Sequence, residues 1–405
     1  MYLKEISFFS KMLVLFLVIA VTSQNNYAQF PDSTSGADTI MLLENLKVQI
    51  EATEAVNDLY NFKFKSAERQ FNWLKQRYPD HPLPYFLLGL SEWWKIMPNP
   101  DNEIYDEGFI AYMDSAIVKA EYRFKNDMDR VEAAFFLAAA YGFKGRLYSD
   151  RRSWGKATVA GKSALKYLDI SKKSEYLSPE LLFGEALYNY YSVWIPENYP
   201  ALKLVLMFFE KGDKELGLQQ LQEVANNAFY TRTEAQLFLM RILNNEEKRS
   251  REALPIAEYL IGTYPDNAYF HRFYARMLYS MGLRNKLEPV AKEIIARIDS
   301  GQVGYEATSG RYASFFLGEM YKVRKDKEQA KIYYLKTIQF AEDIEAFDSG
   351  YYIYALLNYG ILINEEDRKT AVIYFEKVRK ITKRKHSANK RATEYLKKNP
   401  KRNKN

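Results

Sequence analysis

The sequence predicts an all-α fold of stacked antiparallel helix pairs, and three observations carry that expectation. First, a spacing recurs. Ala67, Phe71 and Pro79 stand four and eight residues apart, with Leu88-Gly89 in the next segment. The same order returns as Ala253, Ala257, Pro265 and then Tyr274-Ala275, and a third copy reads Leu317-Gly318, Tyr321, Ala330, Tyr334. These copies fit a helix–turn–helix unit of about 34 residues. Second, only 18 Gly and 13 Pro occur in 405 residues, clustered between periodic segments, as breakers fall between helices. Third, no segment shows a convincing run of the period-2 alternation that marks a half-buried strand.

Residues 1–28 read as a secretory signal peptide. Lys4 and Lys11 precede an apolar run, Met12–Val21, and Thr22-Ser23 and Ala28 offer small residues for cleavage. The run is about half of the ~20 residues a spanning helix needs; an uncleaved anchor is the alternative. Residues 29–40, with Pro31, Asp32, Ser33, Thr34, Ser35 and Gly36, read as a linker. Helix pairs are then expected over 41–380.

The first pair falls near 42–79 and stops where Pro79 halts the helix. The second joins Leu83–Ile96 to Glu107–Phe124 across an insertion near 98–105. The third, Arg130–Leu147 with Trp154–Leu168, has longer helices. The fourth, Pro179–Val193 with Lys214–Ala228, is interrupted by an insertion near 195–213, the least regular region. Regular pairs follow at Thr233–Leu243/Arg251–Thr263, Ala268–Met281/Lys286–Ile298, Gly310–Val323/Lys327–Ala341 and Tyr351–Leu362/Arg368–Lys380. No such pair can bury its apolar face alone, so about seven or eight pairs should stack into a solenoid. Abundant aromatics, 33 Tyr and 25 Phe, suit helix–helix packing, with each Tyr body inside and its hydroxyl at the rim.

Residues 381–405 read as a basic, disordered tail. From Arg379 onward there are 12 Lys or Arg and one acid, Glu394, a net +11; the whole chain carries +7, so residues 1–378 net to −4. So charged a segment with few apolar residues is not expected to fold alone. It could contact an anionic envelope surface electrostatically. Nucleic acid is not the expected partner, because Tyr395 is the only aromatic there.

Leu88-Gly89, Leu317-Gly318-Tyr321, Ala330-Tyr334 and Ala371-Phe375 give the chain a resemblance to the tetratricopeptide repeat superfamily, over pairs one, two and five to eight. The resemblance implies a right-handed superhelix that binds extended peptides or partner helices in a concave groove. A weaker likeness covers about residues 188–222. There Tyr190-Tyr191-Ser192-Val193-Trp194-Ile195-Pro196, Gly212-Asp213, Gly217-Leu218 and Leu221 look like a eukaryotic tetratricopeptide family linked to inclusion-body clearance and mitochondrial outer membranes. The leader followed by Tyr27-Ala28-Gln29, without a lipidation Cys, looks like exported proteins of Bacteroidota-type bacteria.

The resemblance also implies which residues face the groove. In pair six these are Tyr269, Arg272, Arg276 and Tyr279; in pair seven Tyr312, Phe315, Glu319 and Lys322; in pair two Leu83, Phe86, Leu90 and Trp93. Arg272 and Arg276, four apart on one helix, could grip a carboxylate. They resemble half of a clamp that some family members close on a partner's C-terminus; the Lys and Asn of the other half are not recognisable here.

Other chemistry is thinly supported. There are no cysteines, so disulfides, thiolate sites and Cys nucleophiles are excluded. Gly161-Lys162-Ser163 lacks the Gly a phosphate loop needs five positions before Gly161, where Lys156 stands, and the context is helical. His81, His271 and His386 are isolated from one another. Glu246-Glu247 and Glu365-Glu366-Asp367 read as solvated turns rather than as acid/base pairs. No metal or cofactor is expected. The expectation is therefore an exported, non-enzymatic scaffold, periplasmic or outer-membrane-associated, that binds a partner protein or peptide. A glycan- or envelope-polymer-binding protein is the alternative, and an enzyme with a site in the irregular middle is a lesser one.

Overall fold

A computed structural model describes residues 41–172, 178–200 and 210–397. The expected signal peptide and linker, the middle of the second insertion and the last eight residues of the chain lie outside them. The described chain is helical throughout, without strands. It divides into two compact units, up to Leu260 and from Ile261.

The first unit contains α1 (Leu46–Tyr60), α2 (Phe64–Arg77), α3 (Pro82–Ile96), α4 (Asp106–Lys125), α5 (Arg130–Asp150), α6 (Trp154–Lys172), α7 (Pro179–Asn198), α8 (Lys214–Asn227) and α9 (Arg232–Arg241), which ends in a π turn, Ile242–Glu246. From α1 to α9 each helix packs on the next. The unit boundary falls within α10 (Ser250–Thr263). The second unit continues with α11 (Ala268–Ser280), α12 (Arg284–Asp299), α13 (Ala307–Val323), α14 (Lys327–Asp343), α15 (Gly350–Ile363), α16 (Arg368–Ile381) and α17 (Ser387–Lys397), again packed in sequence.

The repeat residues are the packing residues. Ala67, Phe71, Ala253, Ala257, Ala330, Tyr334, Ala371 and Phe375 are all buried. Gly318 lets α13 lie against Tyr334, whose ring would stand 2.9 Å from a Cβ there. Helix starts follow local chemistry: the side chains of Asn267, Asp213, Asp326, Ser349 and Asp367 each accept a backbone N–H in the first turn they precede.

The elongated middle is seen as expected, with α4, α5 and α6 of 20, 21 and 19 residues. The first insertion is tied down by Arg151. Its guanidinium meets Asp106 at 2.6 and 2.8 Å and reaches the carbonyls of Pro100 and Asn102. The fourth pair differs from expectation. Helix α7 runs through Pro196 to Asn198 rather than stopping at Val193. Pro196 lies near its C-terminus, where the ring displaces a single ladder bond. Gly212 and Gly217 sit where α8 meets α7: a Cβ on Gly217 would stand 2.6 Å from the backbone N of Tyr190.

The disordered-tail expectation is corrected for residues 387–397, which form α17. Ala388 and Ala392 are fully buried, and the Tyr395 ring stacks on Phe375 at 5.2 Å. Asn389 donates to the Arg379 and Thr382 carbonyls at the end of α16, and Arg368 donates to the Tyr395 carbonyl at 2.7 Å. The reason is periodicity: Ala388, Ala392 and Tyr395 make one helical stripe, while Lys390, Arg391 and Lys397 stay exposed. Net charge misleads where the basic residues all occupy the other face.

Candidate functional site

Two regions carry unusual side-chain arrangements, one in each unit. The expected groove residues fall together in the second unit, on α11 and α13. The Arg276 guanidinium lies 5.7 Å from the Phe273 ring and 5.5 Å from Tyr312. Arg272 stands between Tyr269 and Tyr312, at 5.5 and 6.0 Å, and donates to Ser309 Oγ at 3.1 Å. Tyr279 stacks on Phe316 at 4.4 Å, and Tyr312 and Phe315 meet Tyr351 of α15 at 4.7 and 4.9 Å. Such cation–ring contacts contribute about 0.5–2 kcal/mol each, more when desolvated.

These residues are not equivalent. Arg272, Tyr312 and Phe315 are buried, whereas Tyr269, Arg276, Tyr279, Glu319 and Lys322 are half-exposed. Arg272 is thus built into the packing, and the Arg272–Arg276 spacing does not by itself make a two-arginine clamp. At the other end, Glu319 accepts from Lys322 Nζ at 2.8 Å, Asn358 Nδ2 at 2.7 Å and the Tyr334 hydroxyl at 2.5 Å. Burial, then Glu319, push the Tyr334 hydroxyl's pKa far up. The pair-two positions split off: Leu83, Leu90 and Trp93 are buried in the first unit, where Trp93 packs against Phe109 and Phe143.

The second region lies in the first unit. Helices α5, α6 and α7, with Phe238 of α9, surround a cavity of about 200 Å³. Among the described residues its walls include Phe135, Phe143, Leu165, Leu168, Phe183 and Leu187. A smaller cavity of about 40 Å³ adjoins it and shares Phe135, Ala139, Phe143 and Phe183. This inner space ends on Tyr230 and Glu234. Glu234 Oε1 accepts from Trp94 Nε1 at 2.8 Å, but Oε2 has no hydrogen-bond partner, and neither has the Tyr230 hydroxyl. Burial raises the Glu234 carboxyl's pKa, against the pull of Arg146.

Sequence reasoning missed this cavity. The available signal was the small-residue stripe Ala138, Ala139 and Gly142 on α5: three short side chains at helical spacing leave room that α7's bulkier Phe183 and Leu187 do not fill. A Cβ on Gly142 would meet nothing within 4 Å.

The histidines are structural. His81 Nδ1 accepts from Leu83 N at 3.2 Å, which leaves the proton on Nε2 to be donated to Glu132 at 3.1 Å. His386 Nδ1 accepts from Ala388 N at the start of α17. His271 meets the Tyr305 hydroxyl at 2.9 Å, and burial lowers its pKa to about 4. Gly161-Lys162-Ser163 lies within α6. Among the described residues, no group of three His, Asp or Glu could hold a metal ion. No helix there is long and apolar enough to cross a membrane.

No family model matches the chain, and no curated protein matches it.

Proposed function

We propose that the chain is an exported, non-enzymatic, tetratricopeptide-like scaffold that holds a segment of a partner protein against α11 and α13. The observation that carries this reading is the row of half-exposed Tyr269, Arg276 and Tyr279, backed by buried Tyr312, Phe315 and Phe316. Rigid aromatic surface next to a guanidinium is the composition of interface hot spots, where Tyr, Trp and Arg dominate. The rings lose little conformational entropy on binding, because neighbouring rings already hold them. Arg276 favours a partner segment bearing a carboxylate, bound by charge-assisted hydrogen bonds.

A photo-crosslinking residue at position 279, used in the native cell, tests this. The expected result is one discrete polypeptide adduct that is lost with Arg276→Ala. An adduct indifferent to Arg276→Ala, or one that survives protease and is lost to glycosidase, contradicts a protein partner on this face. Export is tested separately: N-terminal sequencing of the native protein should begin near Gln24 or Gln29, and an intact Met1 contradicts it.

A further inference from the structure

We infer that the cavity between α5, α6 and α7 is a binding site for a single acyl chain, with the chain's neutral hydrogen-bonding end directed at Tyr230 and Glu234. The site lies in the first unit and does not depend on the α11–α13 face.

Its size admits a ligand larger than benzene. At about 200 Å³ it exceeds the roughly 150 Å³ apolar cavity that takes up benzene. The wall chemistry then decides between an acyl chain and an apolar peptide. A peptide brings an N–H and a C=O with every residue, and each needs a partner once buried. Three polar side chains of the wall are already engaged. Tyr188 donates to the Glu210 carbonyl at 2.7 Å, Ser192 Oγ accepts from Gly212 N at 3.1 Å, and Ser171 donates to the Leu168 carbonyl at 2.9 Å. Arg146 lies with its guanidinium 4.4 Å from the Trp93 ring. A hydrocarbon chain asks for none of these groups.

The inner end supplies the second, independent observation. The Tyr230 hydroxyl and Glu234 Oε2 have no hydrogen-bond partners, and their residues are only 7% and 3% exposed. Burial favours the neutral carboxyl of Glu234, which can donate as well as accept. A terminal hydroxyl or an uncharged carboxyl both donates and accepts, and so can pair with either group.

Displacement of 1-anilinonaphthalene-8-sulfonate by 1-tetradecanol and by tetradecanoic acid, on the full chain, tests the inference. Wild type is expected to bind the probe at one site and release it to both ligands. Gly142→Phe places a ring where a Cβ meets no neighbour, and it should weaken 1-tetradecanol at least about tenfold without lowering the melting temperature. Ala138→Trp serves as a second blocking variant should Gly142→Phe fold poorly. Tyr230→Phe, which removes a hydroxyl that has no partner, should weaken 1-tetradecanol about fivefold, the equivalent of one hydrogen bond. Displacement unchanged in both blocking variants overturns the site, and so does an absence of displacement by either ligand in wild type. Equal affinity of wild type and Tyr230→Phe overturns the inward orientation of the polar end.

Discussion

Buried carboxylates organise this chain residue by residue. Glu180, on the first turn of α7, accepts from the backbone N–H groups of Phe229, Tyr230 and Thr231 and from the Thr231 hydroxyl, at 2.5 to 2.9 Å. It thereby fixes the entry to α9 and the position of Tyr230 in the inner cavity. Glu180→Ala strands several buried donors, each costing about 1–3 kcal/mol. The expected loss exceeds about 3 kcal/mol, or roughly 10 °C in the melting of the first unit; a fall of under about 2 °C by calorimetry would show that the turn holds itself. Asp150 gives a pH test. Burial raises its carboxyl to about 7, against Arg146 and Arg151. Because the folded pKa lies above the unfolded one, this group's contribution to stability is complete below about pH 4 and is lost as pH rises through about 7. Asp150→Asn should therefore stabilise the first unit at pH 8, by at most a few kcal/mol at ~1.4 per pKa unit, and by less at pH 5. An equal effect at both pH values contradicts a raised pKa. Little of this was legible beforehand. His81, Glu132 and Glu180 meet partners tens of residues away, and local sequence holds no record of that.

At the scale of elements, hydrophobic period proved the better guide and composition the poorer one. Helices α11 to α16 lie within a few residues of their expected places, because Ala, Tyr and Phe recur at helical spacing and Asp, Asn or Ser precedes most of them. Helix α17 was missed because its basic residues outweighed the stripe of Ala388, Ala392 and Tyr395. Ending the chain at His386 would uncover Phe375 and leave the Arg379 and Thr382 carbonyls without Asn389. By buried area and lost caps this should cost on the order of 3 kcal/mol and lower the melting temperature of the second unit by roughly 10 °C. An unchanged melting curve would return 387–397 to the role of a dispensable tail. The exposed Lys390, Arg391 and Lys397 remain available to an anionic surface. Co-sedimentation of the full chain with anionic vesicles should therefore weaken with salt; salt-insensitive sedimentation contradicts an electrostatic contact.

Across the whole molecule, the all-helical repeat plan was legible and the location of its concavities was not. The residues that the family resemblance expects to face a groove fall on α3, α11 and α13; those on α11 and α13 form one aromatic and cationic cluster, while those on α3 belong to the first unit. Burial separates them, though: Arg272 is a packing residue with a hydrogen bond to Ser309, so Arg272→Ala would perturb the fold as well as any recognition, and Arg276 is the informative substitution. The α5–α7 cavity was illegible because it depends on what three long helices fail to fill, and a period shows only what a helix presents. We propose above all that a partner protein is held on α11 and α13. Hydrogen–deuterium exchange of the full chain, with and without the polypeptide captured from position 279, tests it most directly. The expected result is slowed exchange in 269–279 and 312–322, abolished by Arg276→Ala; protection confined to other helices, or undiminished by that substitution, would contradict it.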